Sequence, residues 1–316
     1  MQKTFYLLII LLAITSCTKE VKIDIPGFEE QLVIDGSIET DFPPVVLLSR
    51  SKDIYSPTNN DAFLASFVSG ATVKVGDGAT EVVLEEICTD NLPQGSEAIA
   101  AELFGIPVAE LANYHLCAYT TFDASMWGQV GKTYYLTVTF EGKSYTSSTT
   151  IMPATTFDNL YWKPDGTLTD YGYSWARLSD TPNQYDSYKW EVKRINVGID
   201  GQPLDASYTK TYSPVFDDDF FDGLTFDFFY ENPMVWDDPT VPDEYKGYYQ
   251  LGDSVVIKLS KMDRDVFNFF EKKYVQMTTG GNPFATPTNI PTNIVGGALG
   301  VWAGFSTSYD TLYCVP

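Results

Sequence analysis

Short segments of alternating apolar and polar residues, separated by turn residues, recur along most of the chain and limit it to a mainly β fold. Residues 71–76 alternate in this way, Asp77-Gly78 is typical of a hairpin turn, and residues 80–85 form the returning segment. A second hairpin is predicted within residues 132–151. Because the side chains of a strand point alternately to its two faces, each segment can bury one face. The pattern predicts packed β-sheets.

The distribution of these segments predicts two β-rich domains. Residues 31–153 hold short strands and Gly/Pro turns over about 120 residues, which is typical of an immunoglobulin-like β-sandwich. Residues 154–316 repeat this style and are expected to form the second β-rich domain, with one helix at about residues 262–277. The apolar residues of that helix recur at helical spacing, and Ser260 with Asp263 has the spacing of a capping box.

The N-terminus predicts export and lipid attachment. A single lysine precedes an apolar run of about ten residues, which is too short for a bilayer span of roughly 20 residues and has the proportions of a signal peptide. The run ends in ITSC, which resembles the bacterial lipobox, in which the cysteine is acylated and becomes the first residue. This resemblance implies a signal peptide over residues 1–16, a lipidated Cys17 and a tether over residues 17–30. A plain secretory signal is the alternative.

The charge balance excludes several classes of partner. The 316 residues include 42 Asp and Glu against 20 Lys and Arg, with a single His, for a formal charge of −22. Nucleic acids and anionic membrane surfaces both attract clustered basic residues, so neither is an expected partner. The one histidine, His115, leaves little room for histidine-based catalysis or a His-rich metal site. Membrane attachment would therefore rest on the acyl chains of Cys17.

Three cysteines remain if Cys17 is acylated. A disulfide between Cys88 and Cys117 would close an inserted segment, residues 88–117, that has helix-like stretches. Cys314 would then be left over, or would pair with one of the other two. The third alternative is that all three are buried thiols, as free cysteines often are. No cysteine or histidine spacing here indicates zinc.

The most unusual window is residues 211–245. It contains ten acidic and ten aromatic residues and no Lys or Arg. An irregular carboxylate site for Ca²⁺ is one interpretation, although the EF-hand spacing fails from Asp218, because Phe220 and Phe229 fall at ligand positions. Solvated acidic turns are the plainer interpretation.

The aromatic residues of the same window predict a partner or ligand surface. The residues assigned to it are Phe220, Phe221, Tyr230 and Trp236. The competing interpretation is an ordinary strand in which Phe226, Phe228 and Tyr230 face inward while Asp227 and Phe229 face outward. In that case Phe220, Phe221 and Trp236, which lie near turns, are the expected exposed members.

The sequence contains no recognisable catalytic motif. There is no G-x-S-x-G elbow and no Gly-rich phosphate loop followed by a lysine. Two carboxylates could serve as acid and base of a hydrolase, but 42 acidic residues nominate no particular pair. We therefore expect no enzyme, no catalytic residues and no metal ligands beyond the Ca²⁺ alternative.

Several blocks of sequence resemble one family. The segments CTKEVKIDIP, LVIDGSIETDFPPVVLLSRS, VSGATVKV and GNPFATPTNIPTNIVGGALGVWAGF are similar to a family of Bacteroidota outer-membrane lipoproteins known as domain of unknown function 4249. Members of that family are often encoded beside TonB-dependent transporters, and no catalytic residues are assigned to it. The resemblance covers nearly the whole chain after Cys17.

The resemblance implies a function. We expect a non-catalytic, lipid-anchored outer-membrane protein, facing the cell exterior, that acts as an accessory subunit of an outer-membrane β-barrel complex such as a TonB-dependent transporter. Glu20, close behind Cys17, resembles the surface-export signal of Bacteroidota lipoproteins. The alternative is a stand-alone surface lipoprotein that binds glycan or peptide through the window 211–245.

Overall fold

The computed structural model describes residues 28–52, 56, 59–198, 201, 203–205, 207–236, 238–279 and 289–315. The predicted signal peptide, Cys17 and most of the tether lie outside these residues. The described strands are β1 (Leu32–Glu39), β2 (Val45–Arg50), β3 (Thr72–Gly76), β4 (Glu81–Val83), β5 (Glu85–Cys88), β6 (Cys117–Thr120), β7 (Thr133–Phe140), β8 (Lys143–Thr150), β9 (Asn159–Asp165), β10 (Leu168–Ser179), β11 (Ser187–Arg194), β12 (Thr209–Asp217), β13 (Thr225–Tyr230), β14 (Tyr249–Gln250), β15 (Ser254–Met262) and β16 (Leu299–Tyr313). The described helices are α1 (Asn60–Leu64), α2 (Glu97–Phe104) and α3 (Arg264–Thr279). The predicted mainly β fold is confirmed.

The strands form one large sheet and two small ones. The large sheet has eight strands in the order β12-β11-β15-β16-β1-β2-β6-β5. One small sheet has the order β4-β3-β7-β8 and contains both predicted hairpins. In the other, β10 pairs with β9 along one edge and with β13 and β14 along the opposite edge.

Both small sheets cover the same face of the large sheet. Trp302 of β16 is buried with residues of β3 and β7, whereas Leu312 of the same strand is buried with residues of β10. These two residues are an even number of positions apart in one strand, and neither of its ladders has a register shift, so their side chains point to one face. The result is a sandwich-like arrangement with two hydrophobic clusters.

Helices cover the opposite face. The apolar side of α3 packs on Val301, Ala303 and Phe305, the residues of β16 that alternate with Trp302. Helix α2 packs near β2 and β6 at the other end of the same sheet. Both ends of the opposite face therefore have a hydrophobic cluster of their own.

The large sheet contains strands from both predicted domains, residues 31–153 and residues 154–316. Strand β1 pairs in parallel with β16, and this pairing places the first and last described strands side by side. The hydrophobic cluster under β3 and β7 also includes Ile294, Ala298 and Trp302. Residues Gln31–Pro316 form one compact unit. One continuous sheet and one cluster thus contain residues from both predicted domains.

The predicted helix forms, but its start differs from the predicted one. It runs over Arg264–Thr279 instead of 262–277. The N-terminal cap is Asp263, whose Oδ1 accepts a 3.0 Å hydrogen bond from the amide of Val266. Ser260, expected to cap, lies in β15, where its hydroxyl is 3.1 Å from that of Thr307. The pairing of β15 extends to Met262, so the helix cannot begin earlier.

The helix-like stretches expected at residues 96–104 and 108–116 of the inserted segment form α2 and a 3₁₀ helix, Val108–Asn113. Cys88 and Cys117 are paired across β5 and β6 and form a disulfide. Cys314 is a buried free thiol. His115 and the two bridged cysteines come together, but the disulfide uses both sulfurs, so they cannot act as thiolate metal ligands.

Candidate functional site

Strand β13 divides the aromatic residues of the window 211–245 into two faces. Phe226, Phe228 and Tyr230 pack against the cluster under β10. Asp227 and Phe229 point the other way, where Asp227 forms a two-point ion pair with Arg177 at 3.0 and 2.7 Å. The strand interpretation of these five residues is therefore correct, and Tyr230 contributes mainly to the core.

The turn before β13 separates two neighbouring phenylalanines. Phe220 is 95% exposed. Phe221 turns inward and packs against Phe226, with ring centroids 4.2 Å apart, and against Phe216. Of the pair expected on the surface, only Phe220 is free to meet a partner.

Trp236 lies in a cleft of about 590 Å³ between β12, α3 and the 3₁₀ turn Pro233–Val235. We call this the aromatic cleft. Its lining residues are Lys210, Thr211, Tyr212, Glu231, Pro233, Trp236, Tyr274, Met277 and Thr278. A smaller hollow of about 210 Å³ adjoins it and adds Ser213, Phe229 and Tyr230. Of the predicted surface residues, Trp236 and Tyr230 therefore meet here, whereas Phe220 and Phe221 do not line either space.

Polar groups contact aromatic residues of the cleft and of the smaller hollow. The carbonyl of Trp236 accepts a 3.1 Å hydrogen bond from Lys246, and the hydroxyl of Tyr230 donates to the carbonyl of Ser213 at 3.0 Å. The ammonium of Lys210 lies 4.9 Å from the ring centre of Tyr274, a cation–π distance. Partial burial lowers the pKa of Lys210. The cleft thus offers aromatic faces for stacking beside one cation and one carboxylate, that of Glu231.

A second concave surface is almost wholly apolar. It has a volume of about 210 Å³ and lies between α2 and the β2–β6–β5 edge of the large sheet. We call it the apolar groove. Its lining residues are Pro43, Val45, Ile87, Leu92, Pro93, Ser96, Ile99, Ala100, Leu103, Phe104, Ala118, Thr120 and Phe122. None of these residues is charged, although the chain carries a formal charge of −22. Ile99 and Phe122 are 69% and 66% exposed.

Carboxylates gather at one place outside both surfaces. Asp180, at the end of β10, meets Asp218 and Asp222 of the turn between β12 and β13, with one oxygen of each within 4.8 Å of the others. Asp218 and Asp222 belong to the window singled out for Ca²⁺, but Asp180 lies outside it. Only the pairing of β10 with β13 brings Asp180 close, and the sequence shows no signal for that pairing.

No helix among the described residues is long and apolar enough to cross a membrane. A family model described as "Domain of unknown function (DUF4249)" matches residues 18–310. The search of curated proteins found no match.

Proposed function

The chain belongs to the DUF4249 family, and from this premise we propose that it is a non-catalytic lipoprotein that docks on an outer-membrane β-barrel protein. The partner we propose is a TonB-dependent transporter, and the lipid anchor is Cys17, with the folded part facing the cell exterior. The ITSC sequence and the ten-residue apolar run before it support the anchor. The acyl chains of Cys17 would supply the membrane affinity that a strongly acidic protein lacks.

The apolar groove is the observation that carries this proposal. Grooves lined by apolar residues are surfaces on which apolar segments of partner proteins dock. The exposed side chains of Ile99 and Phe122 lie at its wall, and the disulfide of the inserted segment joins two of the strands that border it. An uncharged, disulfide-braced groove in a strongly acidic chain suits an apolar segment of a protein partner. It offers no arrangement of nucleophile and base.

Co-purification tests the docking. The native lipoprotein, extracted in mild detergent from cells that express it at natural levels, should bring down a large β-barrel protein. Ile99→Glu should abolish this association, because it places a charge in the apolar groove. Val197→Glu is the matched control, since Val197 is also 69% exposed but lies outside the groove, and it should retain the partner. A monomeric wild-type chain would overturn the proposal.

The anchor and the exposed face need separate tests. Cys17→Ser should abolish incorporation of a labelled fatty acid into the protein, a readout that does not depend on docking. Protease added to intact cells should digest the wild-type lipoprotein, since we propose an exterior location. Protection from protease until the outer membrane is permeabilised would contradict that location while leaving the docking proposal open to the co-purification result.

The aromatic cleft favours a second candidate function, a stand-alone glycan- or peptide-binding lipoprotein. Sugar rings stack on exposed aromatic faces, and Glu231 and Lys210 could bond hydroxyl or amide groups beside them. Trp236→Ala should abolish binding on glycan or peptide arrays. Phe220→Ala, which removes an even more exposed ring outside the cleft, should not. Absence of binding on every array would count against this function.

A further inference from the structure

Two loops bring three aspartates together at the end of the β10–β13 sheet. Asp180 follows β10, and Asp218 and Asp222 lie in the turn that precedes β13. One carboxylate oxygen of each lies within 4.8 Å of the other two. Asp180 and Asp218 are buried, with 7% and 3% of their surface exposed, and Asp222 is exposed to solvent. The group is therefore open on one side only.

A backbone amide from the opposite loop holds each carboxylate in place. Asp180 Oδ2 accepts from Gly223 at 2.8 Å, and Asp222 Oδ1 accepts from Asn183 at 2.7 Å. Asp218 Oδ2 accepts from the amide of Asp186, also at 2.8 Å. These bonds use one oxygen of each carboxylate. They orient three negative groups toward each other before any ligand is present.

Asp180 has an oxygen that the protein does not satisfy. Its Oδ1 is buried and has no hydrogen-bond partner, which is costly for a carboxylate. A buried carboxylate oxygen without a hydrogen-bond partner, in a group of three carboxylates, is an acceptor that a bound cation would satisfy.

The lysine that pairs with the neighbouring Asp186 is not available to the three aspartates. Lys261 Nζ forms a buried ion pair with Asp186 at 2.7 Å. No ion pair in the described part of the chain reaches Asp180, Asp218 or Asp222. Three carboxylates therefore share a small volume without a protein cation to balance them.

We propose that Asp180, Asp218 and Asp222 bind one Ca²⁺ ion, which clamps the loop after β10 to the turn before β13. Calcium takes oxygen ligands only, accepts irregular geometry and completes its shell with water, which the open side at Asp222 admits. Magnesium demands a stricter octahedron and gives up its water reluctantly, so it suits this irregular group of carboxylates less well. The clamp would fix the turn that displays Phe220. This inference does not depend on the proposed function.

Calorimetric titration of the full mature lipoprotein in detergent, after treatment with EDTA, tests the site. CaCl2 should bind with one ion per chain and raise Tm, and MgCl2 should bind more weakly. Asp180→Asn and Asp222→Asn should each weaken calcium binding at least about tenfold, since each removes a charged ligand. Asp219→Asn is the matched control. It removes an exposed acid of the same turn that is not one of the three, and it should bind calcium like the wild type.

Three results would overturn the site. One is a wild-type chain that neither binds calcium nor changes its Tm, because the three carboxylates would then be balanced by a shared proton. Another is an equal loss of affinity in Asp219→Asn and Asp222→Asn, which would indicate general attraction to the acidic surface. The third is tighter binding of MgCl2 than of CaCl2. Since Asp222 is exposed, Asp222→Asn keeps the test valid if Asp180→Asn fails to fold.

Discussion

Gly36 and Trp302 are partners in the parallel β1–β16 ladder, and a Cβ on Gly36 would lie 2.8 Å from Cε3 of the indole ring. The ring is fully buried, and its Nε1 donates a 3.0 Å hydrogen bond to the carbonyl of Tyr134 in β7, a strand of the β4-β3-β7-β8 sheet. The indole ring therefore packs directly against Gly36 and connects the last described strand to β7. No other residue type leaves room for it there.

We expect Gly36→Ala to destabilise the fold by about 1–3 kcal/mol, the usual cost of overpacking a filled core. The indole cannot move aside without breaking its bond to Tyr134. Urea denaturation of the two proteins would measure the difference. Gly166→Ala is the control, because Gly166 has open space around its Cα, and it should stay within about 0.5 kcal/mol of the wild type. Equal stability of both variants would show that the ladder has a different register.

The disulfide of the inserted segment leads to the second prediction. Cys88 and Cys117 are 29 residues apart. Closing a loop of this length stabilises the folded state by about 3–4 kcal/mol on the chain-entropy model. The double variant Cys88→Ala/Cys117→Ala should lose about this amount in urea denaturation, and its segment 88–117 should become the first site of proteolysis. Reductant should have little further effect on the variant, which serves as the control. Peptide mapping that finds both thiols free in the wild type would contradict the prediction.

The sequence patterns predicted those elements whose formation depends on residues close together in the chain. The β3–β4 and β7–β8 hairpins and the inward face of α3 follow from turn residues and periodicity within short windows. The parallel pairing of β1 with β16 joins residues more than 260 positions apart, and no local pattern encodes its register. For this reason the sequence indicated two successive domains, whereas one sheet contains strands from both halves of the chain.

At the candidate sites, too, features set by nearby residues were predictable and features set by residues far apart in the chain were not. Turn position predicted the exposure of Phe220 and Trp236. The inward rotation of Phe221 was not predictable, because it depends on a contact with Phe226 across the turn. Asp180 was missed for a similar reason, since its place beside Asp218 depends on strand pairing and burial that the sequence does not show.

The third prediction concerns Cys314. It is fully buried, and burial, followed by the nearby Asp253, raises the pKa of its thiol to about 12. Thiolate is the reactive form, so iodoacetamide at pH 8 should alkylate the native protein at Cys314 at least about 100-fold more slowly than the unfolded protein. Mass spectrometry of the C-terminal peptide would measure both rates, with the guanidinium-unfolded chain as control. Rapid labelling of the native protein would contradict the burial of this thiol.

The fourth prediction is a pH dependence carried by Asp253. Burial raises the pKa of this carboxyl above its usual value near 3.8. Arg194 and Asp205 also shift the pKa of Asp253, and Asp253 in turn raises the pKa values of Cys314 and Tyr249. The amide of Gln250 and, to a smaller extent, Arg194 lower the pKa of Asp253, Asp205 raises it, and burial outweighs these effects. The folded state therefore holds this proton more tightly than the unfolded state. The contribution of Asp253 to stability should therefore fall as pH rises from about 4 through its folded-state pKa, and should then level off.

Asp253→Asn removes this ionisation while keeping the shape of the side chain and an oxygen that can accept the 2.8 Å hydrogen bond from the amide of Gln250. The variant should match the wild type near pH 4 and become the more stable of the two as pH rises, by about 1.4 kcal/mol for each unit of pKa difference. Urea denaturation from pH 4 to pH 7 would measure both curves. Asp170→Asn serves as the control, because Asp170 is an exposed acid of neighbouring β10, and it should follow the wild-type curve throughout. A constant difference between the wild type and Asp253→Asn across this range would show that the aspartate acts through its hydrogen bond and not through the energetic cost of its buried charge.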